Sequence, residues 1–199
     1  MLLYIVFISF FIPSLNSINA SEENMHFDVV YNSKIIGNLT ATRSTKNSKT
    51  YYQSATNIQT RIITTVHVFY TYDVIFNNGS LEKSSVQITV NDKPHTETLT
   101  QWVKTKYQIV ETNRSKKILE DSIPYSSIML YFKEPVNISK CYSEQNGNFN
   151  DIISKGNHAY KKVNSKGNEN VYYYQKGALK RALIDGGLVK FEIIATKEH

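Results

Sequence analysis

The stretch at residues 62–76, "IITTVHVFYTYDVIF", limits what this chain can become more than any other. Ile62, Thr64, Val66, Val68, Tyr70, Tyr72, Val74 and Phe76 recur at every second position, the period of a strand with one buried face. A helix would scatter them around its circumference. Strands usually run roughly 3–10 residues, and one of this length would span on the order of 50 Å if straight. It must therefore bend or coil, as a strongly curved sheet requires.

The same period recurs elsewhere. Met25, Phe27, Val29 and Tyr31 share a side in "MHFDVVY", as do Val86, Ile88 and Val90 in "SSVQITV" and Val189, Phe191, Ile193 and Ala195 in "LVKFEIIATK". Each reads as an antiparallel strand with one wet face. Turn chemistry separates them at Asn77-Asn78-Gly79, Asn91-Asp92-Lys93, Ser165-Lys166-Gly167-Asn168, Gln175-Lys176-Gly177 and Asp185-Gly186-Gly187. About ten strands follow from these signals. With 199 residues and no internal repeat or linker, the expectation is one mainly β domain over residues 21–199. Its single antiparallel sheet curves into a half-barrel or open barrel.

One segment departs from the period of two. From Asp121 the residues predict a short helix, with Ser122 as cap and Pro124 in its first turn. Tyr125, Ile128, Met129 and Phe132 then share a face before Glu134-Pro135 ends it. Its natural place is across the apolar side of the sheet. The run "LYFKEPVNISKCYSEQNG" thus reads as a corner, where a strand resumes at "VNISKCYSE" and Asn146-Gly147 makes the next turn. A ligand cavity, if the sheet has one, should have this corner in its wall. The candidate ligand-binding residues are therefore Tyr125, Ile128, Met129, Phe132 and Tyr142.

The apolar run Leu2–Ile12, the small residues up to Ala20 and the charged "SEEN" after them predict a signal peptide over residues 1–20. The run falls short of the roughly 20 apolar residues of a spanning helix, so the mature chain is expected to be exported, periplasmic or extracellular, without a transmembrane segment. Cys141 is the single cysteine. It has no partner for an internal disulfide, fits no paired metal or redox spacing and reads as a small buried residue.

The formal charge is +6, spread over small groups such as Lys161-Lys162 and Lys180-Arg181. Nucleic acid is not expected as a partner, since no basic stripe with interleaved aromatics is present. Peripheral contact with anionic headgroups or acidic glycans fits better, beside the plainer reading of a soluble basic surface. Five histidines (His26, His67, His95, His158, His199) match no metal spacing, and no metal or cofactor is expected. Ser143 and Glu144, with His158 as base, invite a hydrolase reading. The Gly-x-Ser-x-Gly elbow is absent, and neighbouring strand residues face opposite ways. The acceptor patterns at Asn38, Asn78, Asn113 and Asn137 carry no weight in so Asn-rich a chain.

Three stretches, "FDVVYNSKIIGNLTATR", "SIMLYFKEPVNISKCYSEQNGNF" and "VYYYQKGALKRALI", make the chain resemble the uncharacterised exported domain-of-unknown-function families of Bacteroidota. The resemblance implies an envelope protein with a curved antiparallel sheet, similar in architecture to the half-barrel of periplasmic lipoprotein carriers. By that analogy the concave face binds an apolar or amphipathic, lipid-like ligand without catalysis. A ligand-free structural or interaction module with an envelope protein partner is the alternative, and a hydrolase the third reading.

Overall fold

The computed structural model describes residues 21–61, 65–112, 116–185 and 190–196. The expected signal peptide, residues Ile62 and Thr64 of the long alternating stretch, and Val189 lie outside them. The described residues form fourteen strands: β1 Ser21–Tyr31, β2 Lys34–Lys46, β3 Lys49–Arg61, β4 Thr65–Asn77, β5 Ser80–Val90, β6 Lys93–Val103, β7 Lys106–Glu111, β8 Lys117–Leu119, β9 Lys140–Ser143, β10 Asn148–Gly156, β11 Ala159–Val163, β12 Glu169–Gln175, β13 Ala178–Asp185 and β14 Lys190–Ala195.

They form one antiparallel sheet in the order β8-β7-β6-β5-β4-β3-β2-β1-β14-β13-β12-β11-β10-β9. The chain meanders outward from β1 to β8, crosses to the opposite edge at β9, and meanders back until β14 pairs with β1. Curvature brings the edge strand β9 against β6 near the other edge. At the seam, Thr100 on β6 hydrogen-bonds the Tyr142 hydroxyl on β9 at 2.7 Å, and the Thr98 hydroxyl donates to the Gln145 carbonyl at 2.8 Å. The seam is thus held by side chains, and the barrel stays open in the hydrogen-bond sense.

Alternation decides the burial. Phe27 and Val29, Val86 and Ile88, Val74 and Phe76, and Ile193 are all buried. The excess over the expected ten strands comes from turns that carry no glycine. Asn32-Ser33 and Asn157-His158 close two-residue hairpins with positive φ at both positions, as Asn78-Gly79, Asn91-Asp92 and Lys176-Gly177 do. Asn tolerates the left-handed region well enough to serve there. Register shifts at Val29/Val30, Ile75/Phe76, Ile88/Thr89 and Tyr173/Tyr174 mark bulges, which bend the long strands. Gly37 is required by close approach. A Cβ there would sit 1.9 Å from the Asn57 carbonyl oxygen of β3.

The expected helix is corrected to one 3-10 turn, Ser127–Tyr131. Pro124 biases Ile123 toward extended backbone, and tertiary pairing takes the residues that follow. The Ile123 carbonyl accepts from Leu81 N–H, the Tyr125 carbonyl from Tyr142 N–H, and Ser126 forms a parallel bridge with Tyr142. Ser126 itself is extended, at φ −137° and ψ 168°, and caps the turn with no side-chain bond. Its buried residues are Ile128 and Leu130, with Met129 only partly covered, because a segment lying inside the curved sheet is enclosed on more than one side. The turn touches β3, β9 and β13. Phe132 packs on Tyr52 at 5.6 Å between ring centres and Tyr131 on Phe27 at 5.9 Å.

Leu130, 0% exposed, anchors this inner segment, and its carbonyl accepts from the buried Tyr174 hydroxyl at 2.7 Å. Leu130→Ala should cost about 2–5 kcal/mol of unfolding free energy. Tyr174→Phe, which strands that carbonyl, should cost about 1–3 kcal/mol. Urea unfolding of both variants checks the pair; a Tyr174→Phe midpoint equal to that of the wild type would show that the hydroxyl is not needed there.

Candidate functional site

Inside the sheet, beside the 3-10 turn, lies a chamber of about 340 Å³. Its walls differ. Leu39 on β2, Ile184 on β13, and Phe191 and Ile193 on β14 form an apolar side, with Tyr70 and Tyr72 of β4 and Tyr172 of β12 adding rings. Beside it on the same sheet, β10 to β12 present Asn148, Asn150, Lys162 and Asn170, with the Asn170 Oδ1 accepting from Asp185 N–H of β13 at 2.8 Å. Register explains this polar wall. Lys162 pairs with Ile152 on one side and Asn170 on the other, and directly paired residues share a face, so Lys162 points inward with the buried Ile152. Its neighbour Lys161 points outward and meets Glu169 at 2.7 Å.

The floor is built around Glu144, which follows β9 and is 0% exposed. Its Oε2 accepts from Ser127 N–H at 3.2 Å and its Oε1 from Ile128 N–H at 3.1 Å, so the carboxylate takes up donors that the start of the 3-10 turn leaves open. Burial raises its pKa above the ordinary carboxylate range; the Ile128 N–H and the Lys162 ammonium oppose that rise. Lys162 Nζ donates to Ser127 Oγ at 3.1 Å, and Ser127 Oγ donates to the Tyr142 carbonyl at 3.2 Å. Burial also raises the Tyr72, Tyr131 and Tyr172 hydroxyls, which therefore remain protonated at neutral pH.

A serine bonded to a lysine in a cavity has the outline of a nucleophile and its base. Acyl transfer also needs donors aimed at a developing oxyanion, and the N–H groups of Ser127 and Ile128 are already held by Glu144. The expected hydrolase set fares no better. Ser143 and Glu144 are both buried, but His158 Nδ1 lies 2.9 Å from Glu134 Oε1, which also accepts from the Tyr160 hydroxyl at 2.8 Å. Burial pushes the Cys141 thiol up to about 12, away from the thiolate that nucleophilic chemistry needs. Among the described residues, no group of three or more His, Cys, Asp or Glu could hold a metal ion, and no helix is long and apolar enough to cross a membrane.

Of the five residues singled out from the sequence, Ile128 lines the chamber. Tyr125, Phe132 and Tyr142 are buried in the core and Met129 packs partly covered against it, because the inner segment is pressed between opposing strands. The structure thus places one of the five against the open space and the other four in or against the core. Lys162 entered the sequence reading only as part of a basic pair, and Asn148, Asn150 and Asn170 not at all. One signal was present. Lys161-Lys162 lies next to an alternating strand, and adjacent strand residues face opposite ways, so one lysine of the pair has to point in.

Residues 27–196 match a family model described as "Domain of unknown function (DUF6134)". No curated protein matches the chain. Among solved structures, the beta-barrel-like protein of domain of unknown function DUF1849 from Brucella abortus aligns with a TM-score of 0.50 at 7% identity, covering 91% of this chain and 98% of that one. At that identity the likeness shows the fold alone.

Two measurements follow from the side chains. Burial alone would raise the Glu134 carboxyl, but hydrogen bonds from His158 and Tyr160 hold it below the ordinary 4.5. A carboxyl depressed in the folded state adds stability above its unfolded pKa and loses it as pH falls through the folded one. Urea midpoints should therefore drop as the pH is lowered below 4.5, and Glu134→Gln should flatten that drop. Separately, iodoacetamide should leave the native chain's mass unchanged and add one adduct at Cys141 after unfolding in guanidinium.

Proposed function

Because the chain belongs to the DUF6134 family, a family without an assigned function, its role has to be read from its own chamber, and we propose that it is a non-enzymatic binding protein that holds an amphipathic small molecule there. One observation carries this reading: the cavity beside the 3-10 turn has an apolar wall on β2, β13 and β14 and a polar wall on β10 to β12. A wholly apolar ligand would leave the Asn148 and Asn150 Oδ1 atoms, which have no protein hydrogen bond, unmet and the Lys162 charge unanswered, at the usual cost of such groups. A wholly polar one would forgo the apolar wall, where each buried methylene contributes about 0.8 kcal/mol. The size suits a small ligand, near the lower end of the roughly 300–1,000 Å³ of ordinary binding pockets.

The apolar run at residues 2–12 and the small residues up to Ala20 support export, so the ligand would be met in the periplasm or outside the cell. The occupation of the Ser127 and Ile128 N–H groups by Glu144 supports binding without turnover.

Native mass spectrometry of the protein, purified from its host without detergent, tests the proposal. The expected result is a stoichiometric small-molecule adduct that disappears in Ile184→Trp, a variant that fills the chamber, provided its thermal melt stays near that of the wild type. An apo mass for folded wild-type protein, unchanged after incubation with a total lipid and metabolite extract, would overturn it and leave the barrel as a scaffold.

A further inference from the structure

We propose that Lys162 receives an anionic headgroup, making the chamber's ligand a single-chain anionic amphiphile such as a carboxylate or a phosphate monoester; this rests on the chamber being a binding site. An ammonium carries three donors, and the protein partner of Lys162 is the Ser127 hydroxyl at 3.1 Å. Among the described residues no carboxylate lies within ion-pair distance of it, whereas Lys161 beside it is paired with Glu169 and Lys117, also at the chamber, with Glu111. Inward lysines are rare unless something answers their charge.

Glu144 does not fill that role directly. Each of its oxygens already accepts a backbone N–H, and it tempers the charge of Lys162 only through space. On the same wall, the Oδ1 atoms of Asn148 and Asn150 are buried with no protein hydrogen bond, and Asn150 is only 4% exposed. Buried amides without partners are uncommon in folded proteins. Here two of them stand on the wall that also carries an unpaired ammonium. An amide turned about its last bond would put NH₂ where the unmet Oδ1 now sits, so a local rearrangement on anion binding would add donors to that of Lys162. From Lys162 and its partner Asn170 on β12 the lining passes on to the paired Ile184 and Phe191 of β13 and β14, which with Leu39 and Ile193 form the apolar part of the chamber, where an alkyl chain would lie.

Isothermal titration of the full mature chain with decanoate, decyl phosphate and decanol, at neutral pH and below micelle formation, tests the assignment. The anionic probes should bind about tenfold or more tightly than decanol, as a charged hydrogen bond in a half-buried site implies. Lys162→Met should erase that preference while Lys162→Arg retains it, and Lys155→Met on the outer face of β10 should leave it unchanged. The tighter of the two anions identifies the headgroup as carboxylate or phosphate.

Equal affinity of the wild type for decanol and both anions would overturn the role of Lys162 and leave the chamber as a binding site. A preference that survives Lys162→Met would overturn it as well. Failure of all three probes to bind would remove the chamber reading and this one together. The wild-type comparison needs no variant, so the test stands even if Lys162→Met melts early.

Discussion

From Ile123 to Pro135 the chain packs most of its side chains inside a curved sheet with one 3-10 turn for regular structure, and irregular backbone buried in this way must find hydrogen-bond partners other than its own neighbours. Much of the interior is arranged to meet that demand. Leu81 N–H serves Ile123 and Tyr142 N–H serves Tyr125. The Tyr174 hydroxyl serves Leu130 and the Tyr125 hydroxyl serves Lys133. The Tyr107 hydroxyl serves Leu81 in turn. This gives a structural reason for a chain with 14 tyrosines and one tryptophan. A tyrosine fills core volume with its ring and places a hydroxyl where an unpaired carbonyl ends.

Glu144 answers the same demand at the start of the 3-10 turn, with larger consequences. A fully buried carboxylate is costly unless its oxygens are bonded, and two backbone N–H groups and a nearby ammonium supply what it lacks in water. In doing so it fixes Ser127 against Lys162 and closes the donors that an acyl-transfer reaction would use. The floor of the chamber is therefore rigid and already satisfied on its inner side, while the side toward β10 to β12 is not. Binding follows from that asymmetry more naturally than chemistry does.

How much of this was legible beforehand depends on which physical effect wins at each place. Period two in the segments around Phe27, Val86 and Val74 read correctly, because burial of one sheet face outweighs every local preference there. The helix over 121–132 did not survive. Local capping at Ser122 and Pro124 is worth little beside the pairing of Ile123 to Ser126 with β5 and β9. Ser143 and Glu144 were expected to diverge, one facing in and one out. Cys141, Tyr142 and Ser143 are all buried in succession, because β9 is an edge strand covered on both faces by the seam and the inner segment, and alternation carries no information once both sides of a strand are covered. The asparagines of β10 and β12 drew no reading at all, because a sequence does not show that a sheet has closed around them.

Charge behaves in a similar way. The excess of +6 is a property of the whole chain, and much of the basic surface is matched locally: Arg43 with Glu23, Lys49 with Glu82, Lys161 with Glu169 and Arg181 with Glu192. Such exposed pairs contribute roughly 0–1 kcal/mol each and are screened by salt, so they shape solubility more than recognition. Lys162 differs from Lys161 by one position in the sequence and by one face of a strand in space. Half-buried on the inner face and, among the described residues, without an ion pair, it stands where an incoming anion is screened less than at the open surface. The position of this one charge inside the barrel, more than the number outside it, sets what the chamber can select.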